Sequence, residues 1–127
     1  MTRYEQFQNF RTRLNQKILG GGPAGEGRGT LVTKRFFALD DQCYRDTSAD
    51  GGLNKQTKEL LGLAASAVLR CDDCIAYHID QCVLAGCSDK QIMETLDVGL
   101  IVGGSIVIPH LRRAVEFLEE CRAQQAK

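Results

Sequence analysis

Residues Glu59–His78, ELLGLAASAVLRCDDCIAYH, decide how the chain is read: a carboxylate, eleven residues, Cys71-Asp72-Asp73-Cys74, three residues, then His78. A thiol becomes a nucleophile only as thiolate, so it needs a nearby base or a positive dipole. The stretch supplies a dithiol, an imidazole and a carboxylate able to orient that imidazole. On a helix, Cys74 and His78 are i and i+4 and share a face. Cys71 falls at or just before the helix start, where unsatisfied N–H groups and the positive end of the dipole favour a thiolate. This is a redox site in outline.

Size and composition narrow what surrounds it. The 127 residues suffice for one domain, 1–127, with a modest core. Hydrophobic residues at 43% and charged residues at 25% are ordinary for a soluble globular protein. Sixteen basic and sixteen acidic residues give zero formal charge, which argues against a nucleic-acid surface or a polybasic membrane patch. The longest apolar run, Val98–Pro109, is broken by glycines and too short to span a bilayer. The N-terminal MTRYEQFQNF carries charge and amide where a signal peptide needs an apolar core, so a cytoplasmic location is expected. In a reducing compartment, closely spaced cysteines are more often catalytic or metal-binding than structural. Of six cysteines, Cys43, Cys82, Cys87 and Cys121 sit in apolar or helical patterns and read as small buried hydrophobes. A zinc site needs two more ligands, and Cys82, Cys87 and His78 offer no standard spacing.

The periodicity predicts an all-α fold of about six helices. Residues 2–19 place Tyr4, Phe7, Phe10, Leu14 and Ile18 at helical steps. Gly20–Gly29, with six glycines and Pro23, reads as a flexible link. Gly20, Gly22 and Gly25 spell GxGxxG there, but without the strand before and helix after that a dinucleotide site requires. A second helix is expected from Leu31 to Tyr44, capped by Thr30, with Val32, Phe36, Phe37 and Leu39 as its apolar side. After the turn residues TSADGGL, Asn54 caps a third helix to Arg70, expected to bury Leu60, Leu61, Leu63, Ala64, Ala67 and Val68. Small residues in LAASA permit close helix approach. Asp72 is the expected cap of a fourth helix ending at Gly86. Ser88 with Gln91 forms a capping box for a fifth, reaching Gly103-Gly104. A last helix covers Ile106–Arg122 with Pro109 early in it.

KELLGLAASAVLRCDDCIAYH resembles the AhpD-like, carboxymuconolactone decarboxylase superfamily, whose redox branch shows Glu-x11-Cys-x2-Cys-x3-His. The flanking KRFFALDDQCYRD, GCSDKQIMETLDVGLIVGG and SIVIPHLRRAVEFLEE also look like that family. The resemblance implies an all-helical homo-oligomer, commonly a trimer or hexamer, with no bound cofactor or metal. It implies a thiol-dependent peroxidase or disulfide oxidoreductase, with Cys74 attacking the peroxide and Cys71 resolving the sulfenic acid. His78 with Glu59 relays the proton, and a lipoyl-type dithiol or a thioredoxin-like protein serves as reductant. Asp73 departs from the pattern, since the alkylhydroperoxidase branch carries a histidine directly before its second cysteine. Asp72 and Asp73 place two negative charges beside the thiols, which opposes thiolate formation. Two other readings remain on the same scaffold: a lactone decarboxylase using His78 and Glu59, or a non-catalytic oligomeric or metal-binding module. Glu59 also stands near Lys55 and Lys58, which could pair with it as on any solvated helix. Tyr77 could hydrogen-bond at the site or pack, while Ser66 and His110 stand outside the candidate set.

Overall fold

Side-chain caps at residues just outside the helices set where most of them begin. The computed structural model describes residues 1–21 and 25–127, which fall into two compact units, Met1–Arg45 and Asp46–Lys127. Among these residues the elements are helical throughout, apart from one isolated antiparallel bridge between Gly20 and Glu26.

In the first unit, Thr2 accepts the Glu5 N–H at 3.0 Å and opens α1, Arg3–Leu19. Thr30 does the same through Thr33 for α2, Leu31–Cys43. The glycine segment is more than a link: Arg28 and Gly29 donate to the carbonyls of Lys17 and Ile18, both at 2.8 Å. A Cβ at Gly27 would come within 2.2 Å of the Ile18 carbonyl, so only glycine permits this return. Gly22 of the GxGxxG spelling, with Pro23 and Ala24, lies outside the described residues. Neither α1 nor α2 buries a residue, and Phe10, Val32, Phe36 and Leu39 are exposed. Cys43, expected to be buried, is exposed too.

In the second unit, Asn54 caps α3, Lys55–Leu69, by accepting the Thr57 N–H at 2.8 Å. Arg70 then turns the chain with left-handed backbone angles (φ 57°, ψ 41°). Cys71, not Asp72, caps α4, Asp72–Leu84; its backbone is extended, while Asp72 is already helical. Ser88 and Gln91 form the expected box at the start of α5, Asp89–Gly103. A short 3-10 turn, Ser105–Val107, leads into α6, Ile108–Gln125, with Pro109 in its first turn. Helix α3 packs on α4 and α5, and α6 lies against α4. Leu63, Ile75, Ile79, Ile92, Leu96 and Phe117 make the core, joined by the buried thiols Cys82, Cys87 and Cys121.

The buried face of α3 differs from the expected one. Glu59, Gly62, Leu63, Ser66 and Ala67 point inward, whereas Leu61 and Val68 are exposed and Leu60 and Ala64 only half-buried. Positions 59, 62, 63, 66 and 67 are the i, i+3, i+4, i+7, i+8 set of one helical stripe. The stripe is chosen by a buried ion pair and by close approach rather than by hydrophobicity alone. The apolar run after Val98 divides likewise: Gly99 and Val107 are buried, while Ile101 and Val102 stand 84% and 70% exposed.

The LAASA segment allows α5 to come close, since a Cβ on Gly99 would sit 2.9 Å from Ala67 Cβ and 3.4 Å from the Ala64 carbonyl. Leucine is a better helix former than glycine, so any loss in Gly99→Leu must come from packing. The substitution is expected to lower stability by about 1–3 kcal/mol, read as an earlier urea midpoint. An unchanged or later midpoint would show that α3 and α5 are not in this close contact.

Candidate functional site

Glu59 lies one turn into α3 on its inward stripe, and its side chain is 0% exposed. A buried carboxylate is costly unless it is paired and hydrogen-bonded. Here both oxygens have partners: Oε1 with His78 Nδ1 at 2.9 Å, and Oε2 with Lys55 Nζ one turn back on the same helix. Burial works to raise the carboxyl's pKa. The hydrogen bonds from His78 and Lys55, with their charges, outweigh it and hold the group below its ordinary value. An ionised carboxylate has no proton to donate, so the proton in this bond belongs to His78 Nδ1. In the neutral ring, Nε2 is then the acceptor.

Gly62 makes the pairing sterically possible. A Cβ there would fall 2.6–2.8 Å from three atoms of the His78 ring, so the imidazole lies directly against the α3 backbone. Tyr77 meets the same ring edge-on, centroids 5.1 Å apart. Tyr77 thus packs against His78. His78 itself is only 8% exposed.

Cys71 and Cys74 are joined as a disulfide with Cα atoms 5.2 Å apart. The Cys71 sulfur accepts the Cys74 backbone N–H at 3.3 Å, so it sits at the N-terminal end of α4 in place of the usual oxygen cap. In the reduced protein the same N–H and the helix dipole favour negative sulfur. Cys74 is exposed and Cys71 half-buried, and His78 follows Cys74 by one turn of α4. The four predicted residues thus fall into two linked pairs, a disulfide at the mouth of α4 and a carboxylate–imidazole dyad one turn further in.

Sequence reasoning passed over the other side of this mouth. Asp72 Oδ1 meets His110 Nδ1 at 2.8 Å, and Asp72 Oδ2 accepts from Arg113 Nη1 at 3.2 Å. Both partners come from α6, 38 and 41 residues away, a separation at which no local pattern announces them. Ser66, also buried, donates to the Gly62 carbonyl at 2.7 Å and serves the helix itself. Cys82 and Cys87 lie near Glu59; burial, first of all, raises both thiols, as it raises Cys121 to about 12. Such thiols are poor nucleophiles. Among the described residues no group of three His, Cys, Asp or Glu side chains could hold a metal ion, and no helix is long and apolar enough to cross a membrane.

Comparison with known proteins gives the family and the fold. The model of the Carboxymuconolactone decarboxylase family matches residues 31–117. The crystal structure of TM1620 from Thermotoga maritima superposes with a TM-score of 0.84 at 55% identity, covering 97% of this chain and 98% of that one. A second structure of that protein (TM-score 0.82, 55% identity, 95% and 93% covered) is described as a carboxymuconolactone decarboxylase family protein with suggested involvement in an antioxidative response. Apo-lpg0406 of Legionella pneumophila, a protein of the same family, shares the fold at 24% identity and a TM-score of 0.76, with 94% and 96% covered. "Uncharacterized protein 4 in cox locus" of Paracoccus denitrificans is 30% identical over 92 residues, 72% of this chain and 79% of that protein.

The depressed Glu59 pKa has a signed consequence. The folded carboxyl holds its proton less tightly than the unfolded one, whose value is near 4.5. Its contribution to stability is therefore present above that value and lost as pH falls through the lower folded pKa. Glu59→Gln should cost about 1–3 kcal/mol at neutral pH by disrupting a buried, charge-assisted network. The gap to the unsubstituted protein should narrow in thermal melts taken from pH 7 towards pH 3. A gap of constant size across that range would show that the carboxylate's charge contributes nothing.

Proposed function

Since this chain belongs to the carboxymuconolactone decarboxylase family, we propose that it is a thiol-dependent peroxidase or disulfide oxidoreductase of the alkylhydroperoxidase type. The observation that carries this reading is the Cys71–Cys74 disulfide at the start of α4, with the Glu59–His78 dyad one turn along the same helix. The suggested antioxidative involvement of TM1620, more than half identical in sequence, supports it.

The catalytic cycle starts from the dithiol. Cys74 is the exposed member and attacks first. His78 Nε2 takes the thiol proton, and Glu59, ionised and hydrogen-bonded to Nδ1, stabilises the imidazolium that forms. The thiolate attacks the nearer peroxide oxygen: an S–O bond forms, the O–O bond breaks, and the alcohol leaves with a proton from His78. Cys71 then attacks the Cys74 sulfenic acid; the S–S bond forms and water leaves, before a second peroxide can over-oxidise the sulfur. An external dithiol, a lipoyl group or a thioredoxin-like protein, returns two electrons and two protons. The sum is one peroxide and one dithiol giving alcohol, water and one disulfide. No step calls for a bound cofactor. In this reading the chain acts in the cytoplasm, where such reductants are plentiful, and as one domain, which the family match at residues 31–117 supports.

The chain works as a homo-oligomer, a trimer or hexamer, in this reading. Ile101, Val102 and Ile106 on one unit, and Val32, Phe36 and Leu39 on the other, are more than half exposed in the single chain. Exposed apolar surface on this scale marks contact with another protein surface, and a second copy is the simplest source. Analytical ultracentrifugation should give three or six chains per particle; a concentration-independent monomer would overturn this part.

The chemical test is a single turnover. Pre-reduced protein given one equivalent of peroxide should lose two thiols and show an intramolecular Cys71–Cys74 link by mass. Cys74→Ser should abolish peroxide consumption, and Cys71→Ser should stop at a sulfenic acid. Undiminished turnover in Cys74→Ser would refute the role given to that thiol. Turnover of a small carboxylated lactone that survives replacement of both cysteines would favour a lyase using His78 and Glu59 instead.

A further inference from the structure

Asp72 occupies the first helical position of α4, beside Cys71 in sequence and two residues before Cys74. A carboxylate at this end of a helix is favoured by the dipole without further help. Yet its charge competes with the thiols for the same positive potential, and a like charge nearby raises a thiol's pKa. Asp72 and its neighbour Asp73, both exposed, are therefore out of place beside a thiol that must ionise. For Asp72 the structure supplies an answer from another helix. His110 Nδ1 at 2.8 Å and Arg113 Nη1 at 3.2 Å take one carboxylate oxygen each, and the two donors stand one turn apart on α6.

We propose that His110 and Arg113 are positioning residues that mask the Asp72 carboxylate at the mouth of α4, and so keep the Cys71–Cys74 dithiol reactive at neutral pH. The inference rests on the redox reading of the site but concerns the thiols rather than the peroxide. Arg113 brings a full positive charge to the carboxylate, and the His110 N–H holds the other oxygen towards α6. The pair also anchors the start of α4, where the cap geometry of Cys71 is set. Glu59 and His78 act on Cys74 from one turn further along the helix. His110 and Arg113 act through Asp72, without being placed on either sulfur.

The reduced protein provides the test. Iodoacetamide labelling at pH 7, resolved by mass spectrometry, reports the thiolate fraction of Cys71 and Cys74, with Cys43 as the reference thiol outside the pair. For an exposed carboxylate next to the pair in sequence and left uncompensated, R113Q, and H110Q with R113Q, should slow labelling of the pair about threefold. The apparent thiol pKa should rise accordingly, and R113K should recover most of the rate. In a D72N background, where the carboxylate is gone, the same α6 substitutions should lose most of this effect, and D72N alone should label faster than the unsubstituted protein. Thermal melts of each variant separate this from a mere tether. A lower melting temperature with unchanged labelling would overturn the proposal, as would an equal slowing with Asp72 absent. Peroxide consumption is scored separately. An inactive unsubstituted protein whose labelling still shifts as described would reject the peroxidase assignment and leave the masking role standing.

Discussion

A carboxylate at zero exposure, Glu59, fixes where α3 and α4 meet. Removing such a charge from water is tolerable only when both oxygens are engaged, and here Lys55 takes one and His78 the other. The first partner belongs to the same helix and the second to the next, so the pairing sets both the rotation of α3 and the position of α4. Gly62 follows from this constraint, because the ring that serves Glu59 must lie against the α3 backbone. So does the tautomer of His78, since an ionised partner assigns the Nδ1 proton. The orientation of this imidazole, one helix turn from Cys74, is thus settled by a folding requirement.

Much of this was legible in the primary structure, and the limits are physical. The capping residues Asn54 and Ser88, and Pro109 in the first turn of α6, act over three or four residues, and the helices start close to where these signals place them. Cys74 and His78 stand four residues apart on α4, one helix turn, so their shared face follows from spacing alone. The buried face of α3 was not readable in the same way. Leu60, Leu61, Leu63, Ala64, Ala67 and Val68 spread round the helix, and apolar content cannot choose among stripes that are nearly equal. A glutamate decides the stripe, against the usual expectation that Glu is solvated. Asp72 misleads for a related reason: acidic residues are good caps, but here an extended Cys71 takes the cap and Asp72 turns to α6. Nothing within forty residues of Asp72 points to Arg113.

The surplus of exposed apolar side chains belongs to the same account. A helix apolar on more than one face cannot satisfy them all within a small chain. Leu61 and Val68 on α3 and Ile101 and Val102 on α5 are left over once the charge pair and Gly99 have set the inward faces. Burial of Glu59 and exposure of these residues are two results of one rotation.

The six cysteines show how environment, more than residue type, divides reactive thiols from inert ones. Cys74 and Cys82 lie on one helix with His78 midway between them, each a single turn from the imidazole. Spacing alone would offer the histidine to either. Cys74 belongs to the first turn of α4, exposed, beside the positive end of the dipole, and its backbone N–H donates to the Cys71 sulfur. Cys82 is fully buried, next to Cys87 and the Glu59 carboxylate, and both burial and the negative charge oppose its ionisation. The carboxylate that orients His78, which follows Cys74 by one turn, therefore also opposes a thiolate at Cys82. A single buried charge, read from two sides, thus treats the two thiols differently: it assigns the proton on the ring that follows Cys74, and it holds the Cys82 thiol's pKa up.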